Sequence, residues 1–377
     1  MTDIEANAPR PPKRRRVLRT VLIALGVLLA LVVLLVAGFA FLYVQYNVTA
    51  LDQGLDNVEA AGFSERQAEI EGFAASYAEG PDNGTPLLLI HGQGSSWEDY
   101  MNVLPALAQR YHVYAIDVFG HGQSARLPAE QYTNVRIGEL IAAFMEEVIG
   151  EPAVVSGHSS GGLIAAWIAA NRPDLVEAVI LEDPPLFSSA ASGTVRDAGG
   201  GLAGAASAFL AQDAVEDFQA YYVEHGRYFA FFGGLEQNIV DYALGYLADH
   251  PGEPLEIFFL PPVVNVYFRG LVDYDPAFGA AWDEGRWYEG FDTEATLAAI
   301  AVPTVLIHAN YWYQTFGTYY NEQGVMMAAM DDRDVARAMA LLESAELVEV
   351  NSGHLVHFER PEDYLGAVEA LAARANL

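Results

Sequence analysis

Short apolar runs alternate with stretches of helical spacing along most of the chain, but the alternation begins only after one much longer apolar segment. Residues 20–44 run for 25 positions without a charge. At 1.5 Å per residue that is about 37 Å of helix, enough to cross a hydrocarbon layer of ~30 Å with some tilt. The pattern predicts a transmembrane helix over 20–44, preceded by a tail over 1–19. Residues 45–62 are polar, show no strong period and are expected to form a linker. Residues 65–78 alternate loosely and predict two edge strands. Four short runs, at 86–90, 112–117, 153–156 and 176–181, have the apolar character of buried strands. Helical spacing at 97–110, 135–149 and 163–170 separates them. Strand followed by helix, repeated, predicts a parallel sheet wrapped by helices. The rhythm breaks over 186–300 and resumes with strands at 304–308 and 347–350. The expected division is therefore a core in two parts, 63–185 and 301–377, around a helical insertion, 186–300.

Charge sharpens the first segment. Arg10, Lys13, Arg14, Arg15, Arg16 and Arg19 precede the apolar run against only Asp3 and Glu5, which leaves a net of −35 on the rest of a chain whose total is −31. A basic flank before the span predicts a single-pass protein of the cell membrane, N-terminus cytoplasmic, with the acidic domain on the outer face. A cleaved signal peptide fits less well, because its apolar core is usually only ~7–15 residues long. Such acidity excludes nucleic acid as a partner. There is no cysteine, which removes disulfides, thiolate metal sites and a Cys nucleophile. No H-E-x-x-H, P-loop or dinucleotide fingerprint is present, and neither metal nor cofactor is expected.

The candidate chemistry sits where strands end. The 153–156 run leads into Gly157-His158-Ser159-Ser160-Gly161-Gly162 and then into a helix of small apolar residues. Strand, sharp turn and helix give G-x-S-x-G its meaning: the glycines remove side chains from a strained turn, so that Ser159 stands exposed above the sheet. The N–H groups at the start of the helix lie where an oxyanion would form. Upstream, His91-Gly92-Gln93-Gly94 closes another strand, and its glycines free backbone N–H groups to face a cavity.

Together with Asp117-Val118-Phe119-Gly120-His121-Gly122-Gln123-Ser124 and the late Gly353-His354, these motifs resemble the α/β-hydrolase superfamily over about 63–184 and 301–377. The resemblance implies an α/β fold with a mostly parallel central sheet flanked by helices, and a helical cap over 186–300. It implies Ser159 as nucleophile and His354, late in the chain, as the base, with His357 of the same loop as the alternative. The main-chain N–H groups of Gln93 and Ser160 are the expected oxyanion hole. His91 and His121 are expected to hold turns together. The acid is less plain. The strand at 304–308 is followed by Ala309-Asn310-Tyr311-Trp312, without the usual carboxylate. Some members carry the acid after strand six, which here ends in Glu182-Asp183-Pro184-Pro185, and Asp183 is the choice. Glu182, the group Asp331, Asp332 and Asp334, and a Ser–His pair supported by Asn310 or by no partner stay open. Those three aspartates also read as helix caps.

The expected function is a membrane-anchored serine hydrolase of the carboxylesterase or lipase type, acting through an acyl-enzyme on an apolar small-molecule ester. A carbon–carbon bond hydrolase or perhydrolase with the same triad is one alternative. A tethered binding protein that has lost catalysis is the other, prompted by the missing acid after strand seven. Ser at the elbow argues against haloalkane dehalogenase and epoxide hydrolase chemistry, which uses a carboxylate nucleophile there. The aromatic residues of 186–300 are expected mainly to build the cap's own core, with a few lining an apolar pocket.

Overall fold

The structure is a computed structural model; it describes residues 13–189, 200–322 and 324–377. The start of the basic tail and part of the Ser/Ala/Gly-rich opening of the insertion lie outside the described residues.

Eight strands form one sheet: β1 (Ser64–Ile70), β2 (Phe73–Glu79), β3 (Pro86–Ile90), β4 (His112–Ile116), β5 (Ala153–His158), β6 (Val176–Glu182), β7 (Thr304–Ala309) and β8 (Ala345–Val350). Their spatial order is β1-β2-β4-β3-β5-β6-β7-β8. β1 and β2 form an antiparallel edge hairpin, as the loose alternation predicts, and β3 to β8 are parallel. The fully apolar runs follow from burial on both faces. Leu88, Ile90, Val155, Val179 and Leu181 enter one apolar cluster, and Leu87, Leu89, Val154, Ile180 and Val305 enter the other. Successive side chains point to opposite faces, so a strand covered on both sides must be apolar at every position.

The helix Ser160–Asn171 packs on β5 and β6. Helices of the insertion, among them Gly200–Leu210, Glu236–Asp249, Pro262–Gly270 and Pro276–Asp283, lie between β6 and β7 in sequence. The last helix of the insertion, Thr293–Ala299, packs against Ser160–Asn171 and buries Leu297 in an apolar cluster shared by the sheet and the insertion.

The segment 45–62 corrects the expected linker. A single helix runs from Lys13 to Ala60, so the long apolar stretch continues into the globular part without a break. Its described apolar part is long enough to cross a membrane and is exposed, whereas Asn47, Leu51, Gly54 and Val58 are buried. Those four positions follow the i, i+4, i+7, i+11 spacing of one helix face. Two of them, Asn and Gly, hide the stripe from a search for apolar periodicity.

Candidate active site

Two residues with strained backbones stand at the carboxyl ends of neighbouring strands. Ser159, just past β5, has φ 54° and ψ −121°, and Asp183, just past β6, has φ 41°. A positive φ is costly for a residue with a Cβ and persists only where surrounding contacts impose it. Here the sheet imposes it. The Ser159 N–H donates to the Glu182 carbonyl at 2.9 Å, and the Asp183 N–H donates to the Ile307 carbonyl at 2.9 Å. Each residue thus completes one more rung of the ladder while its chain turns away.

The turn at 91–94 lies against the elbow: a Cβ at Gly92 would stand 2.8 Å from the Cβ of Ser159. This sets the main chain of Gln93 beside the first turn of the helix Ser160–Asn171, whose N–H groups have no partner within the helix. The Gln93 side chain points elsewhere, donating to the Tyr274 hydroxyl at 2.8 Å. Two histidines brace the turns, as expected of them. His91 Nε2 accepts from the Val118 N–H at 2.9 Å while Nδ1–H donates to the Gly92 carbonyl at 2.8 Å. His121 Nε2 accepts from the Gly94 N–H at 3.0 Å.

His354 follows β8 on a loop tied to the end of β7, where the Tyr311 N–H donates to the Ser352 carbonyl at 3.2 Å. Its Nδ1–H donates to Asp183 Oδ2 at 2.7 Å. Asp183 is buried while the His354 side chain is 40% exposed, so the carboxylate is shielded and the imidazole reaches open space. The other carboxylate oxygen, Oδ1, accepts from the Ala309 N–H at 3.2 Å and lies 3.6 Å from His308 Nδ1. Burial pushes the Asp183 carboxyl up, but the contacts with His308 and His354 outweigh it and leave the pKa below the ordinary carboxylate value.

Glu182, His357 and Asp331 are engaged elsewhere. Glu182 and His357 form a fully buried pair: Nδ1–H of His357 donates to both Glu182 oxygens, at 2.8 and 2.9 Å, and its main-chain N–H donates to Oε1 at 2.9 Å. On the other side, His357 Nε2 lies 3.4 Å from Asp99 Oδ1, and the ring stacks on Tyr100 at 4.1 Å between centroids. Asp331 caps the helix Asp332–Leu341, accepting from the N–H groups of Arg333 and Asp334. Asn310 stands at the start of the helix Tyr311–Phe316 without a side-chain capping bond.

Sequence reasoning passed over two contacts. His158, the middle residue of the elbow, donates from Nε2 to the His354 carbonyl at 3.0 Å, which ties the histidine loop directly to the serine turn. Burial, then the charges of His354 and His357, hold its pKa well below the ordinary value, so it stays neutral. His308 stands beside Asp183 and donates or accepts at 3.0 Å with the Tyr319 hydroxyl. A titratable residue at x of G-x-S-x-G, and a histidine inside an otherwise apolar strand, were the available signals.

The insertion presses on the turn that follows β3. A Cβ at Gly270 would lie 2.5 Å from the Gly94 carbonyl oxygen and 2.6 Å from the Ser95 Cα. Gly270→Val should therefore displace that turn. A shift of about 1 Å predicts a loss in kcat/KM of about 100-fold, checked by steady-state kinetics on a soluble ester, with calorimetry to show that the fold survives.

A family model described as the alpha/beta hydrolase fold matches residues 85–361. Among curated proteins, the dihydrolipoyllysine-residue acetyltransferase component of the acetoin cleaving system of Cupriavidus necator is 35% identical over 145 residues, 38% of this chain and 38% of that protein. The soluble epoxide hydrolase of Corynebacterium sp. (strain C12) is 36% identical over 123 residues, 31% of this chain and 40% of that protein. The matched stretch spans about two fifths of the length of these relatives. Among solved structures, a membrane phospholipase A described as a bacterial virulence factor superposes with a TM-score of 0.58 at 24% identity, covering 93% of this chain and 98% of that one, a likeness of fold.

Proposed function

This chain belongs to the alpha/beta hydrolase fold family, and from that membership and the geometry of its site we propose that it is a serine hydrolase cleaving an apolar carboxylic ester. The observation that carries the proposal is the 2.7 Å hydrogen bond from His354 to a buried Asp183, on a loop tied through His158 to the turn that bears Ser159.

In this mechanism Ser159 Oγ attacks the ester carbonyl carbon while His354 Nε2 takes its proton. Asp183 holds the imidazole in the tautomer with Nδ1–H and stabilises the imidazolium. The N–H groups of Gln93 and Ser160 receive the oxyanion. The imidazolium passes its proton to the leaving alcohol, and an acyl-Ser159 ester remains. His354 then deprotonates water, which attacks the acyl carbonyl; the acid leaves and the serine hydroxyl is restored.

The reading as a non-catalytic tether rested on the missing carboxylate after strand seven, and the Asp183–His354 bond removes that motive. A serine at the elbow sets this chain apart from carboxylate-nucleophile epoxide hydrolysis, the name of one relative notwithstanding. The exposed apolar part of the helix Lys13–Ala60 supports a membrane anchor, and the basic residues that precede it support an N-terminus inside and the catalytic domain on the outer face. A fluorophosphonate probe tests the chemistry. Purified full-length protein should be labelled, and Ser159→Ala should not. Absence of labelling in the wild type, or labelling that persists in the variant, would overturn the assignment.

A further inference from the structure

The N-terminal helix meets the globular part in a fixed order. Asn47, its first buried residue among those described, donates to the main-chain carbonyl of Phe258, in the insertion, at 3.0 Å. Asp52 lies close enough to Glu256 and Arg269, also in the insertion, for their charges to be felt. Gly54 packs against Met101 of the core, whose sulfur would collide with any Cβ there. Asn57, Ala60 and Ala61 face a groove shared with 101–109 of the core. At 1.5 Å per residue, Gly54 is about 10 Å and Ala61 about 20 Å further from the apolar stretch than Asn47. Along the helix, the insertion is therefore met first and the core second. The strongly apolar stretch ends at Val44, before Gln45, only three residues before that first contact, and the helix continues unbroken between the two.

The insertion carries the exposed apolar surface expected at such a place. Phe231 and Leu235 are 60% and 62% exposed, and Phe258 is 41% exposed. One helix relates them: Phe258 packs on Tyr242 in the helix Glu236–Asp249, and Leu235 directly precedes that helix, four residues after Phe231. From Phe231 the strip continues to Trp312, 5.7 Å away between ring centroids. Trp312 follows β7, the strand whose last residue donates its N–H to Asp183. Exposed apolar side chains thus stand both where the N-terminal helix enters the domain, at Phe258, and toward the strand end that holds the candidate acid, at Phe231 beside Trp312.

We propose that this strip seats on the outer leaflet of the bilayer, so that the site opens toward the membrane and draws an acyl ester of a membrane lipid from it. The proposal rests on the serine-hydrolase and membrane-anchor readings above and adds a substrate class to them. The occupant is a leaflet, because the strip begins where the only described helix of membrane-spanning length enters the domain. Aromatic and aliphatic side chains at that level sink into the boundary between headgroups and acyl chains. The net charge of −35 beyond residue 44 disfavours an anionic surface and selects a neutral or zwitterionic one.

The test uses full-length protein in phosphatidylcholine nanodiscs holding one copy each. Because the chain has no cysteine, Leu235→Cys and Glu369→Cys can each be labelled singly with an environment-sensitive fluorophore. Glu369 serves as the distal control, since it pairs with Arg110, next in sequence to Gln109 of the groove that meets the N-terminal helix at its end away from the apolar stretch. A nitroxide on the lipid headgroup should quench the Leu235 label strongly and the Glu369 label little. Equal quenching of the two, or a Leu235 signal that changes only when two copies share a disc, overturns the proposal and points to a protein contact. This arm does not depend on Ser159, so it separates failure of the seating from failure of the chemistry, which the fluorophosphonate probe reports. For the substrate, the double variant Phe231→Ser/Leu235→Ser should lose about tenfold in hydrolysis of phosphatidylcholine vesicles and keep its rate on dissolved p-nitrophenyl butyrate. Equal loss on both, or loss on neither, overturns lipid entry by this route.

Discussion

Replacing Asp183 by Asn should lower kcat on a soluble ester by about four orders of magnitude while leaving the fold intact. The reason lies in the unequal surroundings of the two carboxylate oxygens. Oδ1 accepts the Ala309 N–H, so an asparagine must place its carbonyl oxygen there. Its NH2 group then takes the place of Oδ2 and offers a donor to His354 Nδ1. The imidazole is forced into the other tautomer, with the proton on Nε2, and can no longer take one from Ser159. Steady-state kinetics check the effect, and the melting temperature checks that the variant remains folded. Retention of activity within about tenfold of the wild type would move the acid role elsewhere. The alternatives are poor in this structure, because Glu182 is committed to His357 and Asp331 to a helix cap.

Replacing His357 by Leu should cost stability, not chemistry, and by about 3–5 kcal/mol. His357, Glu182 and Asp99 are all fully buried, and the imidazolium lies between two acidic side chains that have no access to water, so its single positive charge offsets part of theirs. Removing it leaves them uncompensated. Burial lowers the His357 pKa, but the charges of Glu182 and Asp99 outweigh it and raise the value to about 10. The folded-state pKa lies above the unfolded value of about 6.5, so the pair's contribution is fully present below about pH 6.5 and is lost as pH rises toward 10. Calorimetry from pH 6 to 10 should show the gap between wild type and variant largest at the acid end and narrowing upward. A gap independent of pH would mean that His357 is buried neutral.

The pattern of the chain determined a good deal. Apolar runs of strand length separated by helical spacing carry the parallel sheet, because each strand is covered on both faces. The G-x-S-x-G turn between a strand and a helix marks Ser159, because the local geometry demands those glycines. The long uncharged stretch marks a segment fit for a bilayer. These are local features, readable within a window of a few turns. Tertiary structure decided the rest. Glu182 and Asp183 are adjacent in sequence and equally acidic, yet one supports a buried imidazolium and the other meets His354, 171 positions away. Alternation at the end of β6 and a positive φ at Asp183 send the two side chains apart, and neither is encoded in the dipeptide itself. The expected linker is a helix for a related reason. Its buried face runs through Asn47 and Gly54, residues chosen for a hydrogen bond to Phe258 and a close approach to Met101. A polar or side-chain-free residue reveals its burial only when the surface that covers it is known.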